Sequence, residues 1–404
     1  AILTITSFLF SQKDWKKLLC KINPKKGFLI TILISAPWYI LELLKEGKPF
    51  WDNFFGYHNF QRYTSVVNNH SEPIWFFINI MIIGSLPFTP FLFNGIFEAA
   101  KDLIKSFRDG YDSSETLFIF SFCWLMSVFV FFSISATKLP SYWLPATPAA
   151  AILISKSYVK LQNKTRSSFS FLWAFSLLIL FGLSIAFFLS NNWLSLINDP
   201  EMPNLALNLA ETGIILKARI IFFSLFFTVF SLLVLGSNNV LIFLQVLILF
   251  GQLFLMTPIR KLVDSTRQLP LRNISKLIRN NREGNETLAM IGIRKPSLHF
   301  YTRQIVFYEP ESEEGVINLS ERLKVDRREN YFDKPNYSYK TLLVVIDDYS
   351  ALKEHWLKIE HQKLGKYGIY NLWRIKKSDL NDYSSLLIKS GLSQTWRDRK
   401  VEKF

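Results

Sequence analysis

Two positively charged side chains lie among aromatic residues and prolines, a setting suited to binding an anion. Arg62 ends the motif His-Asn-Phe-Gln-Arg (58–62), and Lys138 lies in Thr-Lys-Leu-Pro (137–140), with Tyr142 one turn further on. The planar guanidinium group of arginine matches the oxygens of a phosphate, and a cation at a membrane boundary is costly without an anionic partner. Taken alone, each cation could instead extend to lipid headgroups without a specific ligand. Two such motifs on one membrane face favour anion binding.

Long apolar segments carry these motifs. Segments of this kind span a bilayer, and we predict them at 27–44, 74–93, 116–135, 142–155, 169–189, 218–235 and 240–257. The stretch 11–26 is rich in lysine, which places it in the cytoplasm by the positive-inside rule. Counting crossings from there places 45–73, 136–141 and 258–404 together on the outer face.

Two of the connections are large enough to be distinctive. Residues 45–73 are predicted as an outer loop that is polar and rich in aromatic side chains, and residues 94–115 as a cytoplasmic loop with helical spacing. Most helix–helix connections are only a few residues long. We therefore expect the functional residues of the membrane region in the 45–73 segment.

Charge and cysteine content exclude other classes. The net charge of +15 could indicate nucleic-acid binding. The basic residues are divided among loops that flank apolar segments, however, so we reject that interpretation and predict no nucleic-acid partner. Two cysteines, Cys20 and Cys123, provide neither a disulfide framework nor metal-ligand spacing.

The composition changes abruptly at residue 258. Short apolar runs with β-branched residues predict strands at 288–293, 305–308, 342–347 and 368–375. Helical patterns lie between or before them, at 270–280, 298–303, 316–328 and 348–360. The fold class is thus a mostly α, multi-span membrane protein with a C-terminal outer-face α/β domain. The domain boundary is predicted between 1–257 and 258–404.

Histidines and acids of the 45–73 segment could support further chemistry. His58 and His70 could bind a metal with Glu72 or Asp52, but their spacing fits no standard zinc pattern, and each is better explained as a hydrogen-bonded loop histidine. Glu72 could act as a general base, although an acid before a proline also commonly marks the start of a helix.

An ordered set of short motifs along residues 27–155 resembles one family of membrane enzymes. The motifs are PWY (37–39), FFGYHNFQRY (54–63), HSEPIWFF (70–77), SLPF (85–88) and SATKLPSYWLPATPA (135–149). The set is similar to the bacterial GT-C membrane glycosyltransferases related to lipid A aminoarabinose transferase and to protein O-mannosyltransferases. PSLHFYTR (296–303) more loosely resembles the outer-face α/β domain of that family.

The resemblance implies an enzyme that moves a sugar from a polyprenyl-phosphate carrier to a glycolipid (lipid A-like), glycan or protein acceptor. In the family, a set of cations and a tyrosine holds the carrier phosphate, and Arg62, Lys138 and Tyr142 stand at the matching positions. Some members bring a metal ligand to the His–Asn pair, which implies a possible divalent metal with His58 as a ligand. The chemistry would be an inverting displacement at the anomeric carbon.

The principal catalytic carboxylate of the family lies in the first outer loop, near the N-terminus. The present chain opens AILTITSFLF, without Met, and we interpret this opening as the end of a membrane helix whose beginning is missing. We therefore expect the catalytic acid upstream of residue 1, an inactive fragment as given, and Glu72 as the candidate within the chain.

Two alternative functions remain open at this point. A lipid-linked sugar transporter or flippase would need cations on both faces of a path, and a membrane-anchored binding module would use the α/β domain as its working part. For every alternative we expect a bacterial inner (plasma) membrane location, with the C-terminal domain outside the cytoplasm.

Overall fold

The computed structural model describes residues 2–12, 14–66, 71–109, 115–164, 170–197, 199–324 and 340–395. The chain divides into two compact units. One comprises Ala1–Leu189 and Ala218–Gly251, and the other Ser190–Lys217 and Gln252–Phe404. The functional boundary at 257/258 stays a prediction.

Helices make up most of the described chain. In chain order they are α1 (Ile2–Phe10), α2 (Trp15–Ile22), α3 (Pro24–Glu46), α4 (Lys48–Phe50), α5 (Arg62–Thr64), α6 (Phe76–Gly84), α7 (Thr89–Asp109), α8 (Thr116–Ile134), α9 (Thr147–Lys164), α10 (Phe171–Phe188), α11 (Ser190–Leu194), α12 (Leu205–Glu211), α13 (Ile214–Val234), α14 (Val240–Val263) and α15 (Leu269–Asn281). Trp51–Gln61 and Asp264–Gln268 are π-helical, and Pro140–Ala146 is a 3₁₀ helix.

Within the described residues, five helical segments are long and apolar enough to cross a membrane, or six if α6 and α7 form one broken span. They are Trp15–Glu46, α8, α10, α13 and the continuous helix Val240–Asn281. Side chains that face outward from these helices are largely apolar, as lipid contact requires. The predicted multi-span membrane architecture is confirmed.

Several predicted boundaries in the membrane region are wrong. The span predicted at 74–93 is broken, because α6 ends at Gly84 and α7 begins at Thr89 with a bend of 116°. Pro87 lies in this break, where it cannot donate a backbone hydrogen bond and disfavours helix at the preceding residue.

The helical spacing predicted within residues 94–115 is present, since residues 94–109 continue α7. The outer segment predicted as a loop is instead largely helical, because residues 48–64 form α4, the π-helical segment and α5. The segment predicted to return across the membrane at 142–155 begins as a 3₁₀ helix, and α9 extends the helix to Lys164. His70 lies outside the described residues.

Close packing and ion pairs join α7, α8 and α9. Gly95 of α7 lies directly against the carbonyl of Leu153 in α9, so a side chain could not be accommodated there. The Lys156 ammonium is buried and forms ion pairs with Asp102 and, at 2.7 Å, with Glu115 at the start of α8. These contacts hold α7 and α9 against α8, which ends at Ile134 shortly before the Lys138 motif.

The second unit contains a five-stranded sheet. Its strands are β1 (Thr287–Ile291), β2 (Val306–Glu309), β3 (Thr341–Asp347), β4 (His361–Tyr367) and β5 (Tyr370–Lys376), in the order β2-β1-β3-β5-β4. Strands β2, β1 and β3 are parallel, and β5 and β4 are antiparallel to their neighbours. The remaining helices are α16 (Pro296–Thr302), α17 (Glu313–Lys324), α18 (Asp348–Ala351), α19 (Glu354–Leu357) and α20 (Lys377–Lys389).

Both faces of the sheet are covered by helices. Along β3, Leu342, Val344 and Ile346 pack with α17, α19 and α20, and Leu343 and Val345 pack with α15 and α16. Alternate side chains of a strand point to opposite faces, so a continuous apolar strand such as β3 requires cover on both. The predicted α/β domain is confirmed, and β4 is an additional strand.

Candidate anion-binding site

Two chain segments that are far apart in sequence pair through their backbones beside the end of α8. The Ala136 N–H donates to the Tyr63 carbonyl at 2.9 Å, and the Thr137 N–H donates to the Arg62 carbonyl at 3.2 Å. The Thr137 hydroxyl donates to the Ser65 carbonyl at 3.0 Å. We call residues 62–65 and 135–137 the clasp. It holds the two cation-bearing motifs side by side.

The clasp joins an extended segment to the carboxyl end of the short helix α5. After α8 ends, Ser135 takes φ −58° and ψ 138°. Leu139 is also extended because it precedes a proline, which disfavours the helical conformation. On the other segment, α5 ends at Thr64 and Ser65 takes φ −137° and ψ 155°. The last carbonyls of a helix have no partner within the helix, so those of Arg62 and Tyr63 can accept from the extended segment.

Lys138 is buried beside the clasp, with 7% of its surface exposed. Its Nζ donates to the Ser135 carbonyl at 2.7 Å. In the described parts of the chain, no carboxylate lies within ion-pair distance of this ammonium group. An ammonium group has three donors, so capacity remains for a ligand, and a buried charge without a counter-charge is costly.

Arg62 is half-buried at the start of α5, on the other segment of the clasp. Its Nε atom is buried and has no hydrogen-bond partner among the described residues. A buried donor without a partner costs about 1–3 kcal/mol, and more when the group is charged. An anion bound against this guanidinium group would remove that cost.

Two stacked aromatic pairs flank the clasp. The Tyr63 ring stacks on Phe131 with centroids 4.9 Å apart, and the Tyr142 ring stacks on Phe132 at 4.7 Å. Phe131 and Phe132 are consecutive in α8, so both tyrosines pack against the same end of that helix. Tyr142 therefore lies near the clasp, and its convergence with Arg62 and Lys138 on one ligand stays a prediction.

An aromatic hairpin precedes Arg62 in the chain. It consists of α3 and the π-helical segment Trp51–Gln61, and its rings pack on one another, with Tyr39 5.7 Å from Phe54 and Phe50 stacked on Phe54 at 5.4 Å. π-Helical turns are rare and are often found at functional sites. None of the residues of either helical segment is buried, so the hairpin presents an aromatic surface.

The other predicted site residues lie close in sequence to this region. Ser71 forms an antiparallel bridge with Thr137, so Glu72 directly follows a residue held at the clasp, and its side chain is exposed. His58 is half-buried in the π-helical segment, with its ring 5.2 Å from that of Tyr57. No group of three potential metal ligands occurs among the described residues. The predicted metal role of His58 therefore has no ligand set to support it there.

Sequence reasoning missed the hydroxyl residues of the clasp. Ser135 and Thr137 are 3% and 1% exposed, and both donate to carbonyls of the chain at Arg62–Ser65 or of the clasp itself. Ser and Thr are common in sequences, and the partners lie more than 70 residues away. The sequence feature that could have indicated these residues is the short stretch between the end of α8 and Pro140, which is too short for a helix.

Residues 281–391 match the family model described as the C-terminal domain of cyanobacterial RgtA-type glycosyltransferases. This match covers the last residue of α15 and most of the α/β fold that follows it. The matched family model and the motifs of the membrane region therefore both point to glycosyltransferases.

Curated relatives also match part of the chain. The undecaprenyl phosphate-α-4-amino-4-deoxy-L-arabinose arabinosyl transferase of Enterobacter sp. (strain 638) is 29% identical over 166 residues, which are 41% of this chain and 28% of the relative. A second such transferase, from Proteus mirabilis, is 34% identical over 136 residues, 34% of this chain and 23% of the relative. The matched region thus spans about a quarter of the length of these relatives.

A solved structure shares the fold. The crystal structure of ArnT from Cupriavidus metallidurans bound to undecaprenyl phosphate aligns with a TM-score of 0.66 and 18% identity, over 92% of this chain and 64% of that one. The apo structure of the same protein gives a TM-score of 0.63. The resemblance to GT-C glycosyltransferases related to aminoarabinose transferase, predicted from the sequence motifs, is confirmed.

Proposed function

We propose that this chain, a relative in sequence and fold of the aminoarabinose transferases, is part of a membrane glycosyltransferase that takes its sugar from a polyprenyl-phosphate carrier. Arg62, Lys138 and Tyr142 bind the carrier phosphate at the outer face of the inner membrane. The acceptor is a glycolipid of the lipid A type, a glycan or a protein.

One observation supports this proposal more than any other. The clasp brings together two motifs whose cations, Arg62 and Lys138, have no carboxylate counter-charge in the described residues. A structural role would normally pair such groups with an acid, since uncompensated buried charges are destabilising. A phosphate monoester or diester supplies the missing negative charge and the hydrogen-bond acceptors.

The arrangement also suits a leaving group. In an inverting displacement, the bond between the anomeric carbon and the phosphate oxygen breaks, and its electron pair stays on the phosphate. Arg62 and Lys138 would stabilise that charge as it develops, and the Tyr142 hydroxyl would donate a hydrogen bond to it. Fixed donors directed at developing charge commonly supply a large part of catalysis.

The acceptor hydroxyl must lose its proton to a base. Within this chain Glu72 is the candidate, because it follows the bridge at the clasp and its exposed carboxylate is accessible. The name of the relatives, undecaprenyl phosphate-α-4-amino-4-deoxy-L-arabinose arabinosyl transferase, suggests an amino sugar as the group transferred. The aromatic hairpin would provide an apolar surface for the isoprenoid chain.

Binding of undecaprenyl phosphate to the purified chain in detergent tests the proposal. Isothermal titration should show tighter binding of undecaprenyl phosphate than of undecaprenol, which has the same chain without the charge. Arg62→Ala should weaken phosphate binding by about 1.5–3 kcal/mol, the cost of losing a charged hydrogen bond. Arg62→Lys should recover only part of the loss, since a point charge does not reproduce the planar fork.

Arg260 provides a matched control, because it is an exposed arginine near the end of the membrane part of α14. Arg260→Ala should leave binding unchanged. Equal binding of undecaprenyl phosphate and undecaprenol, or equal losses in Arg62→Ala and Arg260→Ala, would show that Arg62 merely contacts headgroups.

A further inference from the structure

We infer that Thr137, assisted by Ser135, is a positioning residue that sets Arg62 against Lys138 in the phosphate site. This inference rests on the proposed function, because it concerns the geometry of the same site. Neither hydroxyl is expected to touch the ligand. Their effect is exerted through the backbone that carries the two cations.

Thr137 binds the clasp segment 62–65 at two points and bridges to a third residue, Ser71. Its N–H donates to the Arg62 carbonyl, its hydroxyl donates to the Ser65 carbonyl, and its backbone bridges to Ser71. The side-chain bond reaches three residues beyond the Arg62 carbonyl, so it fixes the direction in which the chain leaves Arg62. Thr137 is 1% exposed, and water cannot readily replace this bond.

Ser135 forms hydrogen bonds with both residues that carry the cations, Arg62 and Lys138. Its hydroxyl lies 3.4 Å from the Arg62 carbonyl and 3.0 Å from the Thr137 carbonyl. Its own carbonyl accepts the hydrogen bond of the Lys138 ammonium group. A shift of this residue would therefore move the Lys138 charge and the Arg62 backbone together.

The segment that carries Arg62 has few other buried contacts. Neither α3, the π-helical segment Trp51–Gln61 nor α5 contains a buried residue. Beyond the clasp, Tyr63 of this segment stacks on Phe131 of α8. Because an aromatic stack allows rotation and sliding, the clasp hydroxyls together with its backbone hydrogen bonds set the register.

The test is a double-mutant cycle with undecaprenyl phosphate and undecaprenol as probes, on the full chain in detergent. Thr137→Val keeps the side-chain volume but removes the donor, and should weaken undecaprenyl phosphate binding roughly fivefold, as expected for one neutral hydrogen bond. Binding of undecaprenol should not change. Thr137→Ser should restore phosphate binding, and Ser135→Ala should weaken it in the same selective way.

Coupling to Arg62 separates positioning from general stability. In an Arg62→Ala background, Thr137→Val should have little further effect, because the group that it positions is absent. Thr257→Val is the matched control, since Thr257 in α14 makes an exposed hydroxyl bond to the Leu253 carbonyl within its own helix. It should leave binding of both probes unchanged.

Each other outcome has a distinct meaning. If Arg62→Ala weakens phosphate binding but Thr137→Val and Ser135→Ala do not, the positioning role is wrong and the proposed function stands. Equal weakening for both probes, or additive losses with Arg62→Ala, would reduce Thr137 to a structural residue. If the wild-type chain does not distinguish the probes, the proposed phosphate site itself fails.

Discussion

The carboxylate of Asp347, at the end of β3, occupies the space where a side chain at residue 292 would begin. Gly292 follows β1 with a φ of +80°, and a Cβ atom there would collide with the Asp347 carboxylate and the Ser350 hydroxyl. Asp347 uses the vacant space to accept hydrogen bonds from the N–H groups of Ile293 at 3.1 Å and Ser350 at 3.0 Å. The absence of a side chain at residue 292 thus allows one acid to join the ends of two parallel strands.

We expect Gly292→Ala to destabilise the C-terminal domain more than its backbone conformation alone explains. Gly391 has a φ of +100° with no atom near its missing Cβ, so Gly391→Ala measures the conformational cost by itself, about 1–2 kcal/mol. Gly292→Ala should cost about 1–3 kcal/mol more, because the carboxylate must move. Hydrogen exchange of the β1 and β3 amides, measured by mass spectrometry, reports the difference. Equal effects of the two variants would show that the Asp347 contact is easily relaxed.

Tyr370 gives the C-terminal domain a dependence on alkaline pH. Burial raises the pKa of Tyr370 above its ordinary value of 10.0, the Glu201 and Asp347 carboxylates add to the rise, and Arg267 opposes it. Below that value the hydroxyl is protonated in both folded and unfolded chains. Above it the unfolded chain releases the proton and the folded domain keeps it, so the free energy of unfolding falls by about 1.4 kcal/mol per pH unit.

An alkaline titration of tyrosinate absorbance checks this pKa. Relative to the parent chain, Tyr370→Phe should remove only absorbance change that occurs well above pH 10. Tyr370→Phe should also reduce the alkaline loss of stability. Loss of absorbance change near pH 10 in Tyr370→Phe would contradict the raised pKa.

How far the sequence predicts this fold depends on whether the signal is local. Strand β3 was predictable because it is a continuous run of apolar residues, several of them β-branched, with no alternating polar positions. Strand β4, His-Gln-Lys-Leu-Gly-Lys-Tyr, was missed because it is an edge strand with mostly exposed side chains and no apolar alternation. The break at Pro87 was also encoded locally, but the apolar residues on both sides of it suggested a continuous span.

The candidate site divides in the same way. Arg62 and Lys138 could be selected from their residue type and their membrane-boundary position. Their adjacency could not, because it depends on hydrogen bonds between segments 72 residues apart, such as that from Thr137 to Ser65. The helical conformation of Trp51–Gln61 was missed because its polar and aromatic residues have no amphipathic period.

The last prediction concerns the orientation of the chain in the membrane. The lysine-rich start of the chain predicts that α2 and the end of α9 face the cytoplasm, and that the C-terminal domain faces outward. The described candidate spans between Asn163 and Glu354 are α10, α13 and α14, and from this odd number we expect the two positions to lie on opposite sides of the membrane.

Cysteine labelling of intact spheroplasts with a membrane-impermeant maleimide tests this orientation. Cys20 is exposed and Cys123 is buried, so a Cys20→Ser chain is a background in which the exposed native cysteine has been removed. Glu354 is 81% exposed by its side chain, and Asn163 is exposed at the end of α9. Glu354→Cys should be labelled in intact spheroplasts, whereas Asn163→Cys in that background and Cys20 in the parent chain should react only after the membrane is permeabilised. Labelling of Asn163→Cys but not Glu354→Cys would invert the topology and place the clasp on the cytoplasmic face, where the proposed outer-face transfer could not occur.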